Sequence, residues 1–380
     1  MRRILITGGA GFIGANFVHY WRRTYPADHV VVLDSLTYAG NLANLQEAQG
    51  QPNFRFIRGD IRDYELVRNL LIEERLDTIV HFAAESHVDR SILGPDAFVE
   101  TNIVGTHTLL KAAKSAWLDR GPAGAPSPHR FHQVSTDEVF GSLSPVAPPF
   151  TEETPYAPNS PYAASKAAAD HLVRAYHQTY GLEVTISNCS NNYGPYQFPE
   201  KLIPLVLVNI LEGRPLPIYG DGRNIRDWLY VEDHCRGIDC ILQQGRVGEC
   251  YAIGGDNEKS NIEIVELVCR LVDEKMASSA TLRPRFPRAP AASGRSAKEL
   301  ITYVKDRPGH DRRYAIDGRK IKQALGFTAA ESFATGIVKT IDWYLANEIW
   351  WRQVMDGSYR QWIDSQYGPR AESAVVSPRG

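Results

Sequence analysis

Short apolar runs alternate with longer amphipathic stretches along the first half of the chain. The runs at 3–7, 30–34, 54–59, 78–83 and 130–135 are rich in Ile, Val, Leu and Phe and too short for helices, so they predict strands buried on both faces. Residues 12–25 and 99–116 carry apolar side chains at three- and four-residue spacing, which predicts helices with one face against a core. Such alternation is the pattern of a parallel sheet covered on both sides. The fold class expected is therefore α/β, a Rossmann-type doubly wound parallel sheet. Later in the chain the rhythm weakens, with strands predicted at 216–219 and 249–253 and a helix at 262–274. The organisation expected is a first domain at 1–190, to which some later segments return, a smaller mixed α/β domain at 191–365, and a flexible tail at 366–380. Residues 121–128, rich in Gly and Pro, read as a surface loop, and 278–295, rich in Ala, Pro, Arg and Ser, read as a flexible insertion.

Composition narrows the function classes. With 43% hydrophobic and 23% charged residues among 380, the chain can bury a sizeable core. Lys and Arg total 42 against 44 Asp and Glu, so no global field attracts nucleic acid or an anionic membrane, and any phosphate must be caught locally. The five cysteines are odd in number and lack CxxC spacing, which argues against a disulfide framework or a zinc ribbon and fits a reducing cytoplasm. The opening MRRILITGGAGFIG reads as a strand rather than a signal peptide, and no stretch approaches the ~20 apolar residues of a membrane span. None of the 11 histidines shows HExxH or similar spacing, so no metal is expected.

The glycines carry the first chemical signal. Gly9-Ala10-Gly11-Phe12-Ile13-Gly14 follows a predicted strand and opens a predicted helix, the context in which this spacing binds a dinucleotide. Gly9 and Gly11 let the backbone approach a pyrophosphate, and Gly14 lets helix and strand pack closely. Gly8 adds GxxGxxG spacing with Gly11 and Gly14. Asp34, 20 residues after Gly14 at a strand end, can accept hydrogen bonds from ribose hydroxyls and would repel a 2′-phosphate, which favours NAD over NADP. Asp60 and Ile61 follow the third strand; Asp60 is also a candidate helix cap.

A second signal is Ser160-Pro161-Tyr162-Ala-Ala-Ser-Lys166, a helix start with Ser160 as cap, Pro161 at the first position, and Tyr162 and Lys166 on one face. An ammonium beside a phenol favours phenolate, a base for a sugar hydroxyl whose carbon loses hydride. Tyr-x-x-x-Lys alone occurs on many helices; the upstream glycines give it weight.

With both signals, the chain resembles the extended short-chain dehydrogenase/reductase family over nearly its whole length. Thr136-Asp137-Glu138, at a strand end where open α/β sheets place ligands, is similar to the motif of the dTDP-glucose 4,6-dehydratases within it. So are AAESHVDRS at 83–91, SNNYGPYQFPEKLIP at 190–204, YGDGRNIRDWLYVEDH at 219–234 and DRPGHDRRYAID at 306–317. The resemblance implies NAD as a retained cofactor and dTDP-glucose as substrate. It implies oxidation at carbon 4, loss of water across carbons 5 and 6, and reduction at carbon 6, for deoxysugar biosynthesis. Two adjacent carboxyls in a closed pocket disfavour joint ionisation, which suits one acid and one base.

By the same resemblance Thr136, Asp137 (acid), Glu138 (base), Tyr162 and Lys166 are catalytic. Gly8, Gly11, Phe12, Ile13, Gly14, Asp34, Asp60, Ile61 and Ala83 join Tyr162 and Lys166 around the cofactor. Ser86, Thr136, Asn191, Glu200, Lys201, Leu202, Pro217, Tyr219, Arg226 and Asn261 are implied at the substrate, with Arg285 or Arg288 as further candidates and His310 ordering a loop. A homodimer through 99–116 and 163–180 is implied as well. Two other readings stay open at this point: an epimerase or decarboxylase acting on another nucleotide sugar, and a non-catalytic NAD-sensing protein.

Overall fold

The computed structural model describes residues 1–119 and 128–355. Its strands are β1 (Arg3–Thr7), β2 (His29–Asp34), β3 (Phe54–Arg58), β4 (Thr78–His81), β5 (Arg130–Thr136), β6 (Val184–Cys189), β7 (Asn191–Tyr193), β8 (Leu216–Tyr219), β9 (Ile225–Tyr230), β10 (Cys250–Ile253), β11 (Glu258–Ser260) and β12 (Ile301–Val304). Seven of them form one parallel sheet in the order β10-β6-β5-β4-β1-β2-β3. The period-two geometry of a strand explains why its members are apolar throughout. Ile4, Ile6, Val30 and Val32 face a core with Phe17, Trp21 and Ile238, whereas Leu5, Val31 and Leu33 face the opposite core with Leu70, Leu109 and Trp117. Helices Phe12–Thr24 and Val231–Gln244 cover the first face; Tyr64–Glu73, Thr106–Trp117 and Pro161–Tyr180 cover the second. The strand order reverses between β1 and β4, and a ligand crevice belongs outside the carboxyl ends at that switch point.

A separate core gathers Ile203, Leu207, Ile264, Val268, Phe333 and Trp351. It is built by helices Leu202–Glu212, Asn261–Ser278, Phe333–Ala346 and Glu348–Val354, beside the small sheets β11-β9-β7 and β12-β8. Helix Val231–Gln244 and β10 lie beyond residue 190 but pack with the large sheet, because the chain leaves and re-enters it after β6.

Two expectations are corrected. The stretch read as a flexible insertion is packed: it holds a short helix, Leu282–Arg285, and a 3-10 turn, Pro290–Ser293. Phe286 and Ala289 are 1% and 2% exposed, and the Phe286 ring stacks on Trp351 at 6.5 Å. Two apolar anchors amid polar residues escape a composition-based reading. The segment at 99–116 is not one regular helix either. Val99–Gly105 is a π-helical turn that feeds the α-helix Thr106–Trp117. What sets it apart from an α-helix is its i→i+5 hydrogen bonding, which the apolar pattern does not report. The loop residues 121–127 and the tail 366–380 lie outside the described residues. No helix among those described is long and apolar enough to cross a membrane.

Candidate active site

The glycine turn after β1 is set by steric contacts. Gly8 has φ +68°, a backbone conformation side chains disfavour, and a Cβ there would meet Ala83 N at 2.6 Å. A Cβ on Gly14 would lie 2.2 Å from the Gly8 carbonyl oxygen, so only glycine lets helix Phe12–Thr24 start this close to the turn. That helix has no acidic residue in its first turn, which leaves its positive end open to an anion. At the end of β2, Asp34 is buried. Its Oδ2 accepts from Ala10 N at 2.9 Å and its Oδ1 from Leu36 N at 2.8 Å. Burial raises its pKa while these two amides lower it.

A cavity of about 370 Å³ runs from this turn across the strand ends. It brings together Gly8, Gly11, Phe12, Ile13, Gly14, Asp34, Asp60, Ile61 and Ala83 at one end with Ser86, Thr136, Asp137, Glu138, Tyr162, Lys166, Asn191, Glu200 and Lys201. The residues along it suit a dinucleotide: an amide-lined helix start, a buried carboxylate at a strand end, and small residues between. Asn191 Oδ1 and Asp137 Oδ2 are buried without a hydrogen-bond partner, as polar atoms kept for a ligand would be. Asp60 does not cap a helix: its carboxylate pairs with Arg62 at 2.7 Å, and the cap is Asp63, which accepts from Leu66 N.

Thr136 ends β5, and its Oγ1 accepts from Glu138 N at 3.2 Å, turning the chain into a 3-10 turn, Asp137–Phe140. The two carboxyls then meet different surroundings. Asp137 is 1% exposed; burial, the Glu138 charge and Asp227 together push its pKa well above the carboxylate range. Glu138 is also raised by burial, but Arg307, Lys201 and Arg226 pull it back. Arg226 acts on both carboxyls, but Lys201 and Arg307 act on Glu138, whereas Glu138 and Asp227 act on Asp137, so the surroundings favour the proton more at Asp137. Lys201 is held by its Nζ donating to the Ser86 carbonyl at 2.9 Å, and buried Glu200 accepts from Arg90 Nε at 3.3 Å.

On helix Pro161–Tyr180, Ser160 accepts from Ala163 N as the cap, as the spacing predicts. Lys166 Nζ donates to the Val134 carbonyl at 2.8 Å. The expected lowering of the Tyr162 phenol is not found in the protein alone. Burial and the charge of Glu138 push it well above its ordinary value.

Several implied residues stay outside the cavity. Arg226 is buried on β9, with Nη2 donating to the Asp311 carbonyl at 3.0 Å and its guanidinium 4.2 Å from the Tyr314 ring centre, behind the carboxyl pair. It does not pair with Asp227, which accepts from Gly255 N and Asn257 N. The Tyr219 hydroxyl donates to Asp89 at 3.0 Å, Pro217 sits in the β8–β12 pairing, Leu202 packs on the second core, and Asn261 N donates to the Asn224 carbonyl. Arg285 and Arg288 are surface residues paired with Glu348 and Glu212, so neither reaches the cavity. His310 bonds Asp306 at 2.6 Å and meets the Tyr219 ring edge-on, which orders that loop.

Sequence reasoning missed Thr37, Arg62, Glu85, Thr101, Gln197 and Phe198 in the lining. Glu85, Gln197 and Phe198 lie in stretches already matched to the family, a signal that could have found them. Thr37, Arg62 and Thr101 carry none. Asn102, within the π-helical turn, donates to Ser165 Oγ at 2.8 Å and ties Glu85 to the helix of Tyr162.

Comparison with known proteins agrees with this geometry. Residues 5–340 match the family described as GDP-mannose 4,6 dehydratase. The chain is 54% identical over 356 residues to a dTDP-glucose 4,6-dehydratase of Xanthomonas campestris pv. campestris (strain B100), covering 94% of this chain and 97% of that one. It is 52% identical over 361 residues to a dTDP-glucose 4,6-dehydratase of Neisseria meningitidis serogroup B, covering 95% and 98%. The crystal structure of DesIV, a dTDP-glucose 4,6-dehydratase from Streptomyces venezuelae solved with NAD bound, matches with a TM-score of 0.81 at 47% identity, covering 93% of this chain and 99% of that one. With identity above half over nearly the full length, the chain belongs to the dTDP-glucose 4,6-dehydratase family.

Proposed function

We propose that the chain converts dTDP-glucose to dTDP-4-keto-6-deoxy-glucose, with NAD bound along the cavity and regenerated at each turnover. The observation that carries this reading is the pair of adjacent carboxyls on the cavity wall: burial raises both, Asp137 with Glu138 and Asp227 adding to the rise, Glu138 with Arg307, Lys201 and Arg226 opposing it. An epimerase has no use for such a pair; elimination of water needs both. Gly8, Gly11, Phe12, Ile13, Gly14, Asp34, Asp60, Ile61 and Ala83 hold the cofactor. Ser86, Asn191, Glu200 and Lys201 hold the sugar nucleotide.

Tyr162 receives the proton of the carbon 4 hydroxyl, and Thr136 hydrogen-bonds that oxygen. NAD, held by these residues, would supply the hydride acceptor and later the donor, and a cationic ring beside Tyr162 would oppose the burial and the Glu138 charge that raise its phenol. The carbon 4 ketone acidifies the carbon 5 proton, which Glu138 removes. Asp137 protonates the departing carbon 6 hydroxyl. All of this occurs in one cavity, so the oxidised, dehydrated sugar never needs to leave before hydride returns to it.

Arg226 spends two of its five donors on the Ile225 and Asp311 carbonyls and keeps the others for the substrate diphosphate, and Leu202, Pro217, Tyr219 and Asn261 belong to the substrate-binding part of the chain. The chain works in a reducing cytoplasm, which its five unpaired cysteines fit. It forms a homodimer through Val99–Gly105 and Pro161–Tyr180, where Val99, Val104 and Tyr180 are exposed. Purified protein offered dTDP-, UDP-, CDP- and GDP-glucose tests the reading. Loss of one water from the dTDP sugar without net NAD consumption is expected; net NADH accumulation with carbon 6 unchanged would overturn it.

A further inference from the structure

Helix Pro161–Tyr180 carries a third ionisable group on the face of Tyr162 and Lys166. Asp170 follows Lys166 by one turn, as Lys166 follows Tyr162. It is 2% exposed, a burial carboxylates avoid unless paired. Neighbouring residues of β5 anchor the two side chains one helical turn apart, without a direct ion-pair contact: the Val134 carbonyl accepts from Lys166 Nζ at 2.8 Å, and Ser135 Oγ donates to Asp170 Oδ2 at 2.6 Å. The Tyr156 hydroxyl donates to the same oxygen at 3.1 Å, while Asp170 Oδ1 is buried without a partner. Lys166 in turn places an ammonium with three donors in a fully buried site, with the Val134 carbonyl as acceptor.

We propose that Asp170 is a positioning residue for hydride transfer, the buried counter-carboxylate that keeps Lys166 an ammonium behind Tyr162. This rests on the reaction proposed above, in which that charge favours the Tyr162 phenolate. The other groups around the pair supply no charge. Lys166 also faces Cys189 on β6 and His81 on β4; burial keeps the thiol protonated and the imidazole neutral. Asp170 faces Ser135 on β5, Tyr156 in the preceding loop, Asn188 on β6 and Cys250 on β10, and burial keeps the phenol and the thiol protonated. Burial alone would strip the proton from Lys166, and Asp170 opposes that.

Asp170→Asn keeps the size of the side chain and can still accept from Ser135 and Tyr156. The test is the pH dependence of a single turnover of the NAD holoenzyme with dTDP-glucose, read as formation of reduced nicotinamide. Without Asp170 the ammonium gives up its proton at lower pH, so the alkaline limb moves down by about one pH unit or more. At neutral pH the rate falls about 10- to 100-fold with KM changed less than about threefold. A rate that falls equally at every pH, or a limb that coincides with wild type, overturns the proposal and leaves the reaction intact. A wild-type protein that makes no product at any pH overturns both. Should Asp170→Asn alone fail to fold, the double variant Asp170→Asn/Lys166→Met is expected to fold, because no buried charge is left unpaired. Failure of both overturns the pairing.

Discussion

Replacing Glu138 by Gln tests the division of labour between the two carboxyls. Gln keeps the length and hydrogen-bonding shape of the side chain but cannot take a proton. Burial raises this carboxyl and three cations, Arg307, Lys201 and Arg226, oppose the rise, whereas the variant has no basic oxygen for them to act on. A positioned general base contributes about 10²- to 10⁴-fold. Turnover is therefore expected to fall about 10³-fold, which at ~1.4 kcal/mol per decade is about 4 kcal/mol of barrier. Oxidation at carbon 4 uses Tyr162 and Thr136 and should survive. Mixing Glu138→Gln holoenzyme with dTDP-glucose in a stopped-flow absorbance experiment should show reduced nicotinamide building up, with no exchange of the carbon 5 proton for solvent deuterium. Asp137→Asn should also accumulate reduced nicotinamide, but with carbon 5 exchange retained, since its base is intact. Turnover of Glu138→Gln within about tenfold of wild type, or carbon 5 exchange that persists in it, refutes the assignment of Glu138 as base.

Gly14→Ala places a Cβ 2.2 Å from the Gly8 carbonyl oxygen, and backbone must shift to accept it; NAD affinity by titration should fall at least tenfold and the melting temperature should drop as well. Phe286→Ala removes a ring that is 1% exposed and should cost about 3 to 5 kcal/mol by denaturant unfolding; a loss under about 1 kcal/mol would restore the reading of a loose insertion. Burial raises Glu138 above the usual 4.5, so the base is present at high pH and lost as pH falls through that raised value; the acid limb of turnover should lie above about 4.5 and vanish from the residual activity of Glu138→Gln.

The parallel sheet was legible because its strands are short apolar runs alternating with amphipathic stretches, and because Gly11 and Ser160-Pro161 mark where helices start. Asp34, Tyr162 and Lys166 were placed by motif spacing and Thr136, Asp137 and Glu138 by family resemblance, and the fold brings all six to one cavity. The π-helical turn at Val99–Gly105 was not, since the apolar pattern does not report its i→i+5 hydrogen bonding, although it aims Asn102 at Ser165. Nor was the electrostatic split of the carboxyls: it depends on Lys201 and Arg307, which meet only through the fold. Asp170 lay in plain view one turn beyond Lys166, but a carboxylate at that spacing reads as solvated until its burial is known. Arg285 and Arg288 were offered by resemblance across a stretch where the insertion blurs the correspondence, and the fold pairs them with Glu348 and Glu212 on the surface.

The central claim, oxidation and elimination and reduction in one cavity with one retained cofactor, is tested most directly by isotope transfer. dTDP-glucose deuterated at carbon 4 is incubated with purified protein carrying NAD, and the product is examined by mass and NMR. The account predicts a 4-keto-6-deoxy product one water lighter than its precursor, with the deuterium now on carbon 6 and no net reduced cofactor. Deuterium found back at carbon 4, lost to solvent, or held in accumulated reduced nicotinamide contradicts it.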